Sequence, residues 1–96
     1  MKGFAVGLCV IELYIPQSRS LQEKRQVLRS IKAKIKNGFN VVIAEVGAQD
    51  HWKSAIFGVV TLSNDKRQVN EVLDKVVGQI ERSPEVQVIH HNLEFF

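Results

Sequence analysis

The sequence predicts an α+β domain whose elements run strand, helix, strand, strand, helix, strand. Val- and Ile-rich runs of strand length occupy residues 3–15, 39–47, 54–62 and 86–93. Between the first and second, and again between the third and fourth, apolar residues recur at helical spacing. A turn or capping signal marks nearly every junction.

The first run is apolar or small at almost every position and stops at Pro16, the pattern of a central strand buried on both faces. Ser20-Leu21-Gln22-Glu23 follows as a capping box, in which hydroxyl and carboxylate each satisfy a backbone N–H that a helix start leaves unpaired. Leu21, Leu28, Ile31 and Ile35 supply the apolar stripe of that helix, and Asn37-Gly38 supplies its stop. The second and third strands flank the polar segment 48–53, which predicts a hairpin with a long connection. Ser63, Asn64 and Asp65 are N-cap candidates for the second helix. Its apolar stripe is Val69, Val72, Leu73, Val76, Val77 and Ile80. Pro84 disfavours helical geometry at Ser83 and ends it.

Right-handed crossovers place both helices on one face of an antiparallel sheet ordered 4-1-3-2, the ferredoxin-like βαββαβ sandwich. A chain of 96 residues holds one such domain, spanning 1–96. The other sheet face is left open. Alternation along the first strand assigns Phe4, Val6, Leu8, Val10, Glu12 and Tyr14 to it. The same reasoning adds Val41, Ile43, Glu45, Phe57, Val59, Thr61, Val88, His90 and Asn92. A face this apolar predicts an interface, with a symmetric homodimer the economical form.

An apolar fraction of 45% and a charged fraction of 24% are those of an ordinary folded protein. Cys9 lies alone in an apolar run, so no internal disulfide forms and a reducing compartment is expected. The start of the chain has no cleavage site in signal-peptide style, and no stretch is long enough to cross a bilayer. The expected location is cytoplasmic, with no membrane partner.

Net charge is +3, and its distribution says more than its sum. Arg19, Lys24, Arg25, Arg29, Lys32, Lys34 and Lys36 cluster against Glu23, whereas residues 51–96 hold slightly more acids than bases. Arg25, Arg29, Lys32 and Lys36 fall at i, i+4, i+7 and i+11, one side of the first helix over about 16 Å. Such a row matches a run of phosphates; the bland alternative is a solvated face. Acidic i+4 partners are nearly absent, so the charges repel one another until something anionic relieves them. Lys24 stands apart, with a stem able to lie along Leu28 as a structural residue.

Sites with chemistry of their own do not emerge. The segment 53–60 keeps only the lysine and the central phenylalanine of the RNA-recognition-motif signature, and Glu12 and Glu45 on the expected face would repel phosphate. Asp50-His51-Trp52 offers an acid, a base and a stacking ring, but as an isolated polar loop; Trp52 reads equally as a lid or an interface residue. His90 and His91 are consecutive on a strand and point to opposite faces, so they do not share a metal. Glu12 and Glu45 lie on strands separated by a third and are not expected to form a dyad. Gly3 and Gly7 precede no helix and read as packing or bulge positions. An acylphosphatase-like anion loop would need glycine in 16–20, and none is there. No catalytic residue, cofactor or metal set is therefore assigned.

Read together, 19–25 (Arg-Ser-Leu-Gln-Glu-Lys-Arg), Phe39-Asn40-Val41, Ala44-Glu45-Val46, Gln49-Asp50 with Trp52, and Ser63-Asn64-Asp65 resemble the YlxP-like family, domain of unknown function 503. The resemblance spans essentially the whole chain. Gly47 departs from it, because an acidic residue commonly follows Glu-Val there. What the resemblance implies is a ferredoxin-like fold, a cytoplasmic bacterial protein, and a gene often set among translation and ribosome-maturation genes.

The expectation is a non-enzymatic RNA- or ribosome-associated factor, with Arg19, Lys24, Arg25, Arg29, Lys32 and Lys36 contacting phosphate. The alternative is a protein-interaction module using Glu12, Glu45, Asp50, Trp52 and Phe57. A small hydrolase comes third and would need a pocket gathering Arg19, Asn40 and a titratable group.

Overall fold

The computed structural model describes residues 3–96. Met1 and Lys2, the start of the segment read for a leader, lie outside them. The elements are β1 (Ala5–Tyr14), α1 (Leu21–Gly38), β2 (Val42–Gly47), β3 (Ser54–Ser63), α2 (Lys66–Glu81) and β4 (Gln87–Phe95). The four-stranded antiparallel sheet has the order β2-β3-β1-β4, the predicted topology read from its other edge.

The helices form as their stripes require. α1 buries Leu28, Ile31 and Ile35, and α2 buries Val69, Leu73, Val76, Val77 and Ile80, all against the sheet face carrying Cys9, Ile11, Leu13, Phe57 and Val59. Gly7 lets α2 close on β1: a Cβ there would stand 2.5 Å from Val69 Cγ1 and 2.9 Å from Leu73 Cδ1. It is a packing position, as expected. Near the end of β4, Lys66 Nζ lies 4.5 Å from the Phe95 ring centroid, a cation–π contact holding the start of α2 to the last strand.

The caps hold with two differences. Ser20 accepts a hydrogen bond from Glu23 N at 3.1 Å, but the Glu23 carboxylate accepts from Arg19 N at 3.0 Å, one residue before the cap. α1 runs through Gly38 and ends at an extended Phe39, with Gly38 outside the left-handed region, so the stop is not a left-handed glycine cap. α2 starts as expected, with Asp65 accepting from Arg67 N at 2.9 Å.

The register corrects the sequence-based assignment of the open face. Residues directly opposite on paired strands share a face, and Cys9 pairs Val59, Ile11 pairs Phe57 and Leu13 pairs Val88. Ile43 and Glu45 pair Val59 and Phe57. Ile43, Glu45, Phe57, Val59, Thr61 and Val88 therefore sit on the helix side, and Val41 packs against the core. Phe57 is 0% exposed and belongs to no surface. The assignment holds for β1 and for His90 and Asn92, because Glu12 pairs His90 and Val10 pairs Asn92. The true open face carries Val6, Leu8, Val10, Glu12 and Tyr14 of β1, Val42, Ala44 and Val46 of β2, and Ile56, Gly58, Val60 and Leu62 of β3.

Candidate functional site

Along one flank of α1, Arg25, Arg29 and Lys36 are exposed and Lys32 is half-buried. They sit roughly a quarter turn from the buried stripe, so packing does not consume them. Among the described residues the salt bridges are Arg19–Glu23 and Lys24–Glu45, leaving these four cations with no carboxylate in ion-pair range. Arg19 lies just before the helix with its side chain 85% exposed, 3.9 Å from Glu23.

Lys24 does not join them. It is 1% exposed, and its ammonium donates to the carbonyls of Ala48 and His51, both at 2.7 Å, while Glu45 Oε2 lies 2.9 Å away. The sequence-based assignment of Lys24 to phosphate contact is thus corrected: its charge is spent inward. Glu45 is corrected with it, from an outward partner-binding residue to the counter-ion of a buried lysine. Burying a lysine is costly unless it is paired and hydrogen-bonded, and here it is both.

These contacts hold the β2–β3 loop. Ala48 has φ 59°, the left-handed region that a non-glycine residue adopts only at a cost, and its carbonyl also accepts from His51 N at 3.1 Å. At the far side of the loop Lys53 Nζ donates to Pro16 O at 2.8 Å, and Ile15 N donates to Lys53 O at 2.8 Å. The loop is thereby tied to both the start of α1 and the β1–α1 connection. Its tip stays in water: Asp50 and His51 are exposed and Trp52 is 53% exposed. Asp50, His51, Trp52, Lys53 and Ser54 line an open depression of about 400 Å³.

Several sequence-predicted residues are not brought together. Glu12 and Glu45 lie on opposite sheet faces. Asn40 stands beyond the C-terminal end of α1 and Arg19 before its N-terminus, so the 18-residue helix separates them by about 27 Å, too far to share one small pocket. His90 and His91, opposite Glu12 and Ile11, point to opposite faces as expected. The Lys24–Glu45 pair was the feature that sequence reasoning missed. A lysine embedded one turn into an apolar stripe and an isolated acid in a strand were the available signals, but nothing local joins them.

The class defined by this geometry is a ferredoxin-like βαββαβ domain with one bare sheet face, apolar on its β2–β3 half, and a basic first helix. The chain belongs to the DUF503 family, described as proteins of unknown function, whose model matches residues 6–93. It is 36% identical to the uncharacterized protein YlxP of Bacillus subtilis (strain 168), over the full length of both. Among solved structures it is similar to the de novo designed protein Foldit4, at 10% identity and a TM-score of 0.55, covering 96% of each chain, a likeness of fold alone. SnoaB, a cofactor-independent oxygenase from Streptomyces nogalater, aligns with a TM-score of 0.48 at 10% identity, over 99% of this chain and 92% of that one. No helix among the described residues is long and apolar enough to cross a membrane.

Proposed function

We propose that this chain is a non-enzymatic RNA- or ribosome-associated factor of the cytoplasm that contacts phosphate through Arg19, Arg25, Arg29, Lys32 and Lys36. The observation that carries the reading is the row of cations on α1 without carboxylate partners. Like charges at i, i+4 destabilise a helix by a few tenths of a kcal/mol per pair. A polyanion reverses that sign, because each neutralised phosphate releases counter-ions into bulk solvent. The test is binding of purified protein to ribosomal subunits and total RNA, beside a folded Arg25→Glu, Arg29→Glu, Lys32→Glu variant. Wild-type binding that the variant loses supports the reading; no wild-type binding ends it.

The proposal includes a homodimer through the open sheet face. Val42, Val46, Ile56, Val60 and Leu62 fill the β2–β3 half, while His90, Asn92 and Glu94 stand on the β4 half. Two copies related by a two-fold axis stack their apolar halves and leave the polar halves in water. A second reading, a protein-interaction module using this face and the Trp52 loop, is favoured by the same apolar patch. There the α1 charges serve solubility alone, and the chain sediments as a monomer until its partner is added.

A further inference from the structure

The loop carrying Trp52 is held more firmly than its exposure requires. A buried ion pair, two lysine-to-carbonyl hydrogen bonds on one side, one more on the other, and a left-handed alanine all serve a segment whose tip is in water. Buried ion pairs contribute little net stability compared with apolar residues of similar volume. What this one achieves is a fixed position for the loop. Strained backbone that the surroundings over-determine is concentrated at binding sites.

Trp52 is the single tryptophan of the chain, and it is 53% exposed and outside the hydrophobic core. A core-edge lid is therefore not its role. Its neighbours in the depression are Asp50, His51, Lys53 and Ser54, polar residues around one indole. Lys24 fastens the loop to the first turns of α1, where the basic row begins with Arg25, and Lys53 fastens it to the segment leading to Arg19. An exposed aromatic ring on a loop fastened near the start of a row of cations is an arrangement by which proteins hold unpaired bases: the ring stacks on a base and the cations follow the backbone. Bases in a duplex are already stacked on each other and offer it no face.

Resting on the reading of α1 as a phosphate-binding surface, we infer that Trp52 is a base-stacking platform and that the ligand is single-stranded RNA. Lys24, clasped by Glu45, fastens the backbone on the N-terminal side of Trp52, so stacking costs little ordering of the loop. Asp50, next to the ring, disfavours a phosphate at the loop tip and leaves that position to a base.

The experiment measures anisotropy of a labelled single strand of about ten nucleotides and of a duplex of equal length, at one low salt concentration. The proteins are the wild type, Trp52→Ala, Trp52→Phe and the α1 charge-reversal variant, each checked for fold by circular dichroism. The single strand binds the wild type more tightly than the duplex and quenches its tryptophan fluorescence. Trp52→Ala weakens single-strand binding roughly fivefold to a hundredfold, and Trp52→Phe retains most of it. Undiminished single-strand binding by Trp52→Ala, with binding lost in the α1 variant, overturns this inference and leaves the proposed function standing. Equal affinity for duplex overturns it as well. Absence of RNA binding by the wild type overturns both.

Discussion

Lys24 Nζ stands 2.9 Å from Glu45 Oε2 beneath the β2–β3 loop, so the most buried cation of the basic helix faces the protein and not the solvent. Removing one partner leaves a charge without compensation. Lys24→Met is expected to cost about 3 kcal/mol, the lower end for broken buried pairs because Glu45 is 20% exposed, and to lower Tm by about 10–20 °C. The double variant Lys24→Met, Glu45→Leu recovers most of that stability. Its loop still lacks the donor to Ala48 and His51 and is cleaved faster by protease than in the wild type. Equal cleavage would show that the pair does not hold the loop.

Gly7→Ala places a methyl group against Val69 Cγ1 and Leu73 Cδ1 at 2.5 and 2.9 Å. Either α2 moves away from β1 or the side chains leave their rotamers, at about 1–3 kcal/mol. Denaturant unfolding reads this as a lower midpoint with unchanged slope.

Burial pushes the Cys9 thiol above its ordinary pKa, with Asp74 adding to the effect and a backbone hydrogen bond from Asn92 opposing it. Above the ordinary thiol range the unfolded chain releases a proton that the folded chain keeps. The Cys9 contribution is thus intact below the unfolded pKa and is lost as pH rises toward the folded one. Tm measured from neutral pH to about pH 10 should fall more steeply in the wild type than in Cys9→Ala. A thiol reagent at neutral pH should label Cys9 at the rate of unfolding.

Val42 and Leu62 on the open face are 69% and 65% exposed. Lysine at both positions costs the monomer little, since neither side chain is in the core. In a stacked dimer the same substitutions bury unpaired charge. Sedimentation equilibrium should find the wild type dimeric and the Val42→Lys, Leu62→Lys variant monomeric with its circular dichroism unchanged. A monomeric wild type would remove the dimer from the account.

Element order and topology were legible because each signal is local: the stripes of α1 and α2, the Ser20 and Asp65 caps, and the proline at 84 all act within a turn or two of chain. The facing of β2, of β3 and of Val88 in β4 was not. It depends on how Phe57 registers with Ile11 and Glu45 with Phe57, pairings between distant residues, and on irregularities at Glu12/Leu13 and Glu45/Gly47 that shift alternation by a residue. Taking Glu45 as outward, like Glu12, assumed that an acid in a strand seeks water. Lys24 supplies what water would have. The row from Arg25 to Lys36 was legible from spacing alone, because helical periodicity fixes which side chains share a flank.

The most direct test of the phosphate-binding account is the salt dependence of RNA affinity from about 50 to 200 mM. With contacts from Arg19, Arg25, Arg29, Lys32 and Lys36 to a single strand, the log–log slope should be about −3 to −3.5, falling toward zero in the charge-reversal variant. A flat wild-type slope, or a variant with the wild-type slope, would contradict the assignment of α1 as the nucleic-acid surface.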